Sequence, residues 1–137
     1  MEHTPGRDLT WVSAPAEFFT GRVWFGPLAE PQQEDGLTAL GVQFEPEART
    51  HWHSHPGGQV VYVVFGAGFV QNADGETVVM SAGDVVVTPP GEVHWHGATP
   101  TTHMMHLSLT THGATQWVGP VTDADYRSAS SADRPPE

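Results

Sequence analysis

His53-Ser-His55-Pro-Gly-Gly-Gln59 and Gly83-Asp-Val-Val-Val-Thr-Pro89-Pro-Gly91-Glu-Val-His94 are the two stretches whose reading decides the fold. In the first, the two histidines alternate. On an extended strand alternate side chains share a face, so His53 and His55 present two imidazoles together. Pro56-Gly57-Gly58 is a turn that can fold the next strand back and bring Gln59 beside them. In the second stretch Pro89-Pro90-Gly91 closes one strand, and His94 opens another. Two adjacent imidazoles, an amide oxygen and a third imidazole from a distant hairpin suit a first-row divalent ion: zinc, copper, iron or nickel, and manganese when oxygen ligands join. The expected ligands are His53, His55, Gln59 and His94.

Outward from these stretches the chain reads as short strands and turns. Leu37 to Phe44 is one strand, ended by Pro46, and Thr50 to His55 is the next. Gln59 to Phe65 is a β-branched and aromatic run that predicts a strand buried on both faces. Gly68 to Asn72 and Glu76 to Met80 flank Ala-Asp74-Gly75, a hairpin signal. Asp84 to Thr88, His103 to Thr110 and Gln116 to Val118 complete the series. No window of a dozen residues carries a helical period. Many short strands at close spacing predict a sandwich or barrel.

Three regions follow. Residues 1–36 mix Pro, Gly and acidic groups around an apolar patch, Phe18 to Phe25, and are expected to pack on the barrel or across a dimer. Residues 37–127 form the barrel. Residues 128–137 are Ser, Ala, Asp and Pro with little to bury and are expected to be a disordered tail. The strand at 103–110 has Met104, His106 and Ser108 on one face and His103, Met105, Leu107 and Leu109 on the other. Apolar groups on both faces need cover on both sides, which favours a homodimer or higher homo-oligomer.

Composition excludes several classes. Sixteen acidic against five basic residues give a formal charge of −11, which disfavours nucleic acid and anionic membranes as partners. There is no cysteine, hence no disulfide framework and no thiol nucleophile. All five basic residues are Arg, so lysine Schiff-base chemistry is excluded. No charged segment followed by an apolar run marks a secretory signal, and the expected compartment is the cytoplasm.

The motifs carry a resemblance. His-x-His, three or four residues, Glu, six residues, Gly is the first cupin motif; here Gln59 follows His55 after three residues, and six more lead to Gly66. Gly, five residues, Pro-x-Gly, two residues, His is the second, matched from Gly83 to His94. The chain therefore resembles the cupins, all-β proteins with a double-stranded β-helix, a jelly-roll-like barrel. It departs from the usual pattern at Gln59 in place of Glu, Glu47 in place of Gly and Ala98 in place of Asn. A neutral amide leaves the ion its full charge. The ion is then a stronger Lewis acid and harder to oxidise.

The runs Phe44 to Gln59 and His94 to His106 are similar to a narrower group, the small bacterial cupins that include the manganese-dependent hydroxynitrile lyases. That resemblance implies one divalent metal per chain, manganese foremost, with iron, zinc, nickel or cobalt as alternatives. It implies a small-molecule substrate, a 2-hydroxynitrile cleaved to aldehyde and cyanide. His106 would be the acid or base. His96 would orient substrate, protonate cyanide or steady a metal ligand. Leu40, Val42 and Phe44 share one strand face, which would wall the pocket. Two other classes stay open: a metal-dependent cupin dioxygenase acting on an enol or diketone, and a non-catalytic small-ligand binder. Trp52 and Trp95 are expected on the outer face, His51 inside or at the rim, His103 in a structural role, and Arg49 in a surface ion pair or on a substrate carboxylate.

Overall fold

The computed structural model describes residues 1–131. Twelve strands build one curled antiparallel sheet. They are β1 (Val12–Ser13), β2 (Phe19–Thr20), β3 (Val23–Ala29), β4 (Thr38–Phe44), β5 (Arg49–Thr50), β6 (Trp52–Ser54), β7 (Gln59–Asn72), β8 (Thr77–Ser81), β9 (Val85–Thr88), β10 (His94–Ala98), β11 (Met104–Thr110) and β12 (Gln116–Gly119). The main path runs β1-β3-β4-β11-β7-β10-β5-β2; β8 and β9 also pair with β7, and β6 lies between β10 and β12.

β7 joins the two halves of the barrel. Its first half pairs with β11 and β9, and its second with β10 and β8. The sequence suggests two strands here, at 59–65 and 68–72, yet the structure has one of 14 residues. Gly66 makes this continuity available: it takes φ +80°, and a Cβ there would fall 1.8 Å from the carbonyl oxygen of His103. The chain bends at the glycine and keeps its ladder. Burial along β7 also differs from the two-sided expectation. Val61 and Val63 face the core, while Tyr62 and Val64 are 41% and 42% exposed, so one face of this half stands open.

The core inside the barrel gathers Val42, Phe44, Val61, Val63, Met80 and Met104, with Phe19 and Val23 from the N-terminal region. Residues 1–36 therefore contribute strands to the same sheet. Trp11 lies flat against the backbone, and a Cβ at either Gly26 or Gly41 would come within 2.8 Å of its ring.

A helix, α1 (Asp123–Ser131), ends the described chain. It covers residues 128–131, which composition assigns to a tail; the rest of that tail, residues 132–137, lies outside the described residues. A nine-residue helix is too short to show a period, and its two buried residues, Tyr126 and Ala129, are one turn apart. The Thr122 hydroxyl caps it by accepting from the Asp125 N–H at 3.1 Å. The helix covers the outer side of β10, where Trp95, Phe69 and Val121 form a second apolar cluster. Trp95 does point away from the barrel, but it is fully buried and its indole N–H donates to Gln71. Arg49 is neither a surface residue nor a substrate anchor. It is buried, donates to the Val121 carbonyl and the Asp123 carboxylate, and lies 4.7 Å over the Tyr126 ring. It ties the helix to the barrel.

Candidate metal centre and active site

Strand register assembles the site. His94 of β10 stands opposite His53 of β6, and Trp117 of β12 flanks His53 on its other side. His55 follows β6, and Gln59 opens β7 across the Pro-Gly-Gly turn. His96 is two residues beyond His94, so its ring enters from the same face and stacks on that of His94 at 5.6 Å. His106 and Ser108 project inward from β11. All seven of these polar residues are buried: His53, His55, Gln59, His94, His96, His106 and Ser108 are each at most 8% exposed.

Each histidine of the predicted ligand set is held through Nδ1. His53 Nδ1 donates to the carbonyl of His51 at 2.8 Å, and His94 Nδ1 to that of Glu92 at 2.9 Å. The same two-residue step back along the strand serves both. His55 Nδ1 lies 3.3 Å from the Thr115 hydroxyl. The two carbonyls can only accept, so they fix the tautomer of His53 and His94 and leave each Nε2 lone pair free, as metal-binding histidines require. Gln59 is held in the same way: its Nε2 donates to Ser108 Oγ at 2.7 Å, and its Oε1 lies 3.0 Å from His94 Nε2.

These residues fit a divalent ion. His94 Nε2 and Gln59 Oε1 are two acceptors facing one another, an arrangement that a cation between them relieves. Donors about 2.1 Å from a common ion and at right angles sit roughly 3 Å apart, which matches that pair. His55 Nε2 is buried with no hydrogen-bond partner. Burial, and then the neighbouring His94, lowers the His55 pKa to about 4, so the ring is neutral and its lone pair available at neutral pH. His53 is likewise held well below the usual range by burial.

His96 also belongs to this neighbourhood. The donor atoms of His53, His94 and His96 all lie within 4.8 Å of one another, a group that includes His96 and leaves out His55. His96 differs in how it is anchored. Its Nδ1 meets His106 Nε2 at 3.0 Å instead of a backbone carbonyl, and its backbone N–H donates to Thr50 Oγ1. Its Nε2 is buried and unpartnered. Burial lowers the His106 pKa to about 4 and pushes His96 well below the usual range. Both rings are neutral at neutral pH.

A cavity of about 170 Å³ opens on these groups, and His53, His55, Gln59 and His96 line its polar end. Leu40, Val42, Phe19, Phe25 and Trp117 make the rest apolar. Leu40 and Val42 thus sit where the strand pattern puts them. Phe44 does not reach the cavity; it is fully buried beneath the two inner histidines, its ring centroid 5.3 Å from that of His106. Nor does His106 line the cavity, since His96 stands in front of it. His51 contributes its carbonyl, and His103 is exposed beside Phe65. Thr50, Ser108, Thr115 and Trp117 are site residues that the motifs do not reveal. Trp117 lies 4.9 Å from the His53 ring and stacks on Phe18 at 4.5 Å, a pairing of residues 99 positions apart that leaves no local pattern.

The curled antiparallel sheet and its two histidine-bearing motifs define a cupin, and the chain belongs to that family: the cupin domain matches residues 41–110. It is 44% identical over 116 residues to an (R)-mandelonitrile lyase from Granulicella tundricola, covering 82% of this chain and 88% of the relative. A crystal structure of a cupin-like protein from Thermotoga maritima superposes with a TM-score of 0.79 at 43% identity, covering 85% of this chain and 91% of that one. The polyketide cyclase RemF from Streptomyces resistomycificus shares the fold at a TM-score of 0.77 and 18% identity, over 94% of this chain and 98% of that one. Among the described residues no helix is long and apolar enough to cross a membrane.

Proposed function

We propose that this cupin is a metal-dependent lyase that cleaves 2-hydroxynitriles into an aldehyde and hydrogen cyanide. The observation that carries this reading is the separation of two histidine systems at one small apolar cavity. His53, His55 and His94 have their Nδ1 atoms tied outward and, with the Gln59 carbonyl oxygen, would hold one divalent ion, manganese foremost. The His96–His106 pair is joined ring to ring instead and is left for protons. The likeness to a mandelonitrile lyase supports the same reading.

The bound ion supplies Lewis acidity toward a hydroxyl or carbonyl oxygen. The protein supplies the proton path. With Nδ1–H donating to His106, His96 turns its Nε2 lone pair to the cavity and takes the proton of the substrate hydroxyl. The electron pair of the C–C bond leaves with cyanide, and the same Nε2–H returns the proton to it. His106 holds His96 in the accepting tautomer and stabilises its transient positive charge. The apolar walls at Leu40, Val42 and Phe25 exclude water and accept the substrate's hydrocarbon part.

Elemental analysis and cyanide release from mandelonitrile test this, using native, metal-stripped and His106→Ala protein. Metal-dependent release that is lost in the variant is the expected result. Bound metal without release overturns the lyase reading and leaves a cupin of other chemistry.

A further inference from the structure

We propose that Ser108 is a positioning residue that holds the Gln59 side chain with its oxygen toward the metal. The inference rests on the reading of Gln59 as a ligand. An amide, unlike a carboxylate, has two different ends, and the oxygen alone carries a lone pair for a cation. A half-turn about the last side-chain bond would present the NH₂ group instead and remove a ligand from the shell.

The surroundings of Gln59 decide between the two ends. Its side chain is buried, with Ser108 Oγ 2.7 Å from Nε2 on one side and His94 Nε2 3.0 Å from Oε1 on the other. In the turned orientation the NH₂ would donate to the His94 lone pair, a satisfied state that competes with metal. In the ligating orientation the NH₂ has Ser108 as its acceptor. A hydroxyl both donates and accepts, so Ser108 can pair with either end of the amide. A cation beside His94 selects the oxygen, and Ser108 Oγ then accepts from the NH₂ and leaves no buried N–H unpaired. Removal of the hydroxyl leaves the ligating amide with an unpaired buried N–H and nothing to hold its far end in place. Ser108 is placed by β11, where it pairs in register with Val61 of β7 and Leu40 of β4, so its reach to Gln59 is set by backbone on both sides.

The test is calorimetric titration of metal-free protein with Mn²⁺ and with Zn²⁺, together with thermal melting of the metal-free forms. Ser108→Ala should weaken metal binding about tenfold or more, the usual size of an outer-layer loss. Ser108→Thr keeps the hydroxyl and should restore most of the affinity. In a Gln59→Ala background, Ser108→Ala should cause no further loss. Native-like affinity in a folded Ser108→Ala protein, or a loss that persists in the Gln59→Ala background, overturns the positioning role. Native-like affinity in Gln59→Ala overturns instead the assignment of Gln59 as a ligand. If Ser108→Ala does not fold, Ser108→Cys, similar in size and a poor acceptor, carries the same comparison.

Discussion

His106 Nε2 lies 3.0 Å from His96 Nδ1, and of the two rings it is His96 that lines the cavity. In the proposed reaction the inner histidine would act on substrate through the outer one. His106→Ala should lower kcat for cyanide release by roughly 10²-fold or more, the size of a lost general acid–base contribution, while metal content stays near that of the native protein. His96→Ala should lower kcat at least as much. Loss of metal should follow His55→Ala and spare His96→Ala; the opposite result would place His96 in the ligand shell. Metal analysis beside steady-state kinetics checks both.

The hold of α1 on the barrel rests on a few buried polar contacts. Tyr126 donates its hydroxyl to the Ala98 carbonyl at 2.7 Å, and burial pushes its pKa up to about 12. Tyr126→Phe leaves that carbonyl without its partner and should cost about 1–2 kcal/mol in urea unfolding. Metal affinity should not change, because this contact lies on the far side of β10 from the histidines.

Acid should destabilise the metal-free protein. His55 and His106 have folded pKa values of about 4 against an ordinary 6.5, with burial the main cause in each. Between those limits the unfolded chain binds more protons than the folded one, so stability rises with pH across the window. The contribution is complete above 6.5 and is lost as pH falls toward about 4. A melting temperature that falls through this range is expected, and one that stays flat would contradict the burial of neutral histidines. Bound metal should dissociate over the same range, because protons compete for its ligands.

The outer face of β9, β7 and β11 is the surface expected to meet a second copy. Strand register sets Tyr62 between Val85 and Leu107, and Val60 between Val87 and Leu109, an apolar patch with no ionised side chain among these six. Elsewhere a chain of formal charge −11 repels its own copies, so a neutral face is where two can approach. Light scattering should find a dimer, and Tyr62→Asp with Val87→Asp should give a folded monomer. A native monomer at micromolar concentration would remove the expectation.

Much of the site was legible in the sequence, because period-2 alternation and turn residues are local. His53-x-His55, the Pro-Gly-Gly turn and His94 after Pro-x-Gly put the candidate metal ligands on predictable faces, and the sheet follows from the same spacing. Alternation also put Leu40 and Val42 on one face, and the family resemblance made that face a pocket wall. What tertiary structure decided lies where distant strands meet. Alternation gave Phe44 the same face as Leu40 and Val42 but not its depth, which His96 of β10 and His106 of β11 set by closing over it. The reach of Gln59 to Ser108 and of Trp117 to His53 depends on which strands become neighbours. Arg49, an ordinary surface cation by composition, became a buried tie once α1 supplied its acceptors. Alternation along a strand fixes a side chain's direction, whereas its partner depends on the strand register and packing of the closed barrel.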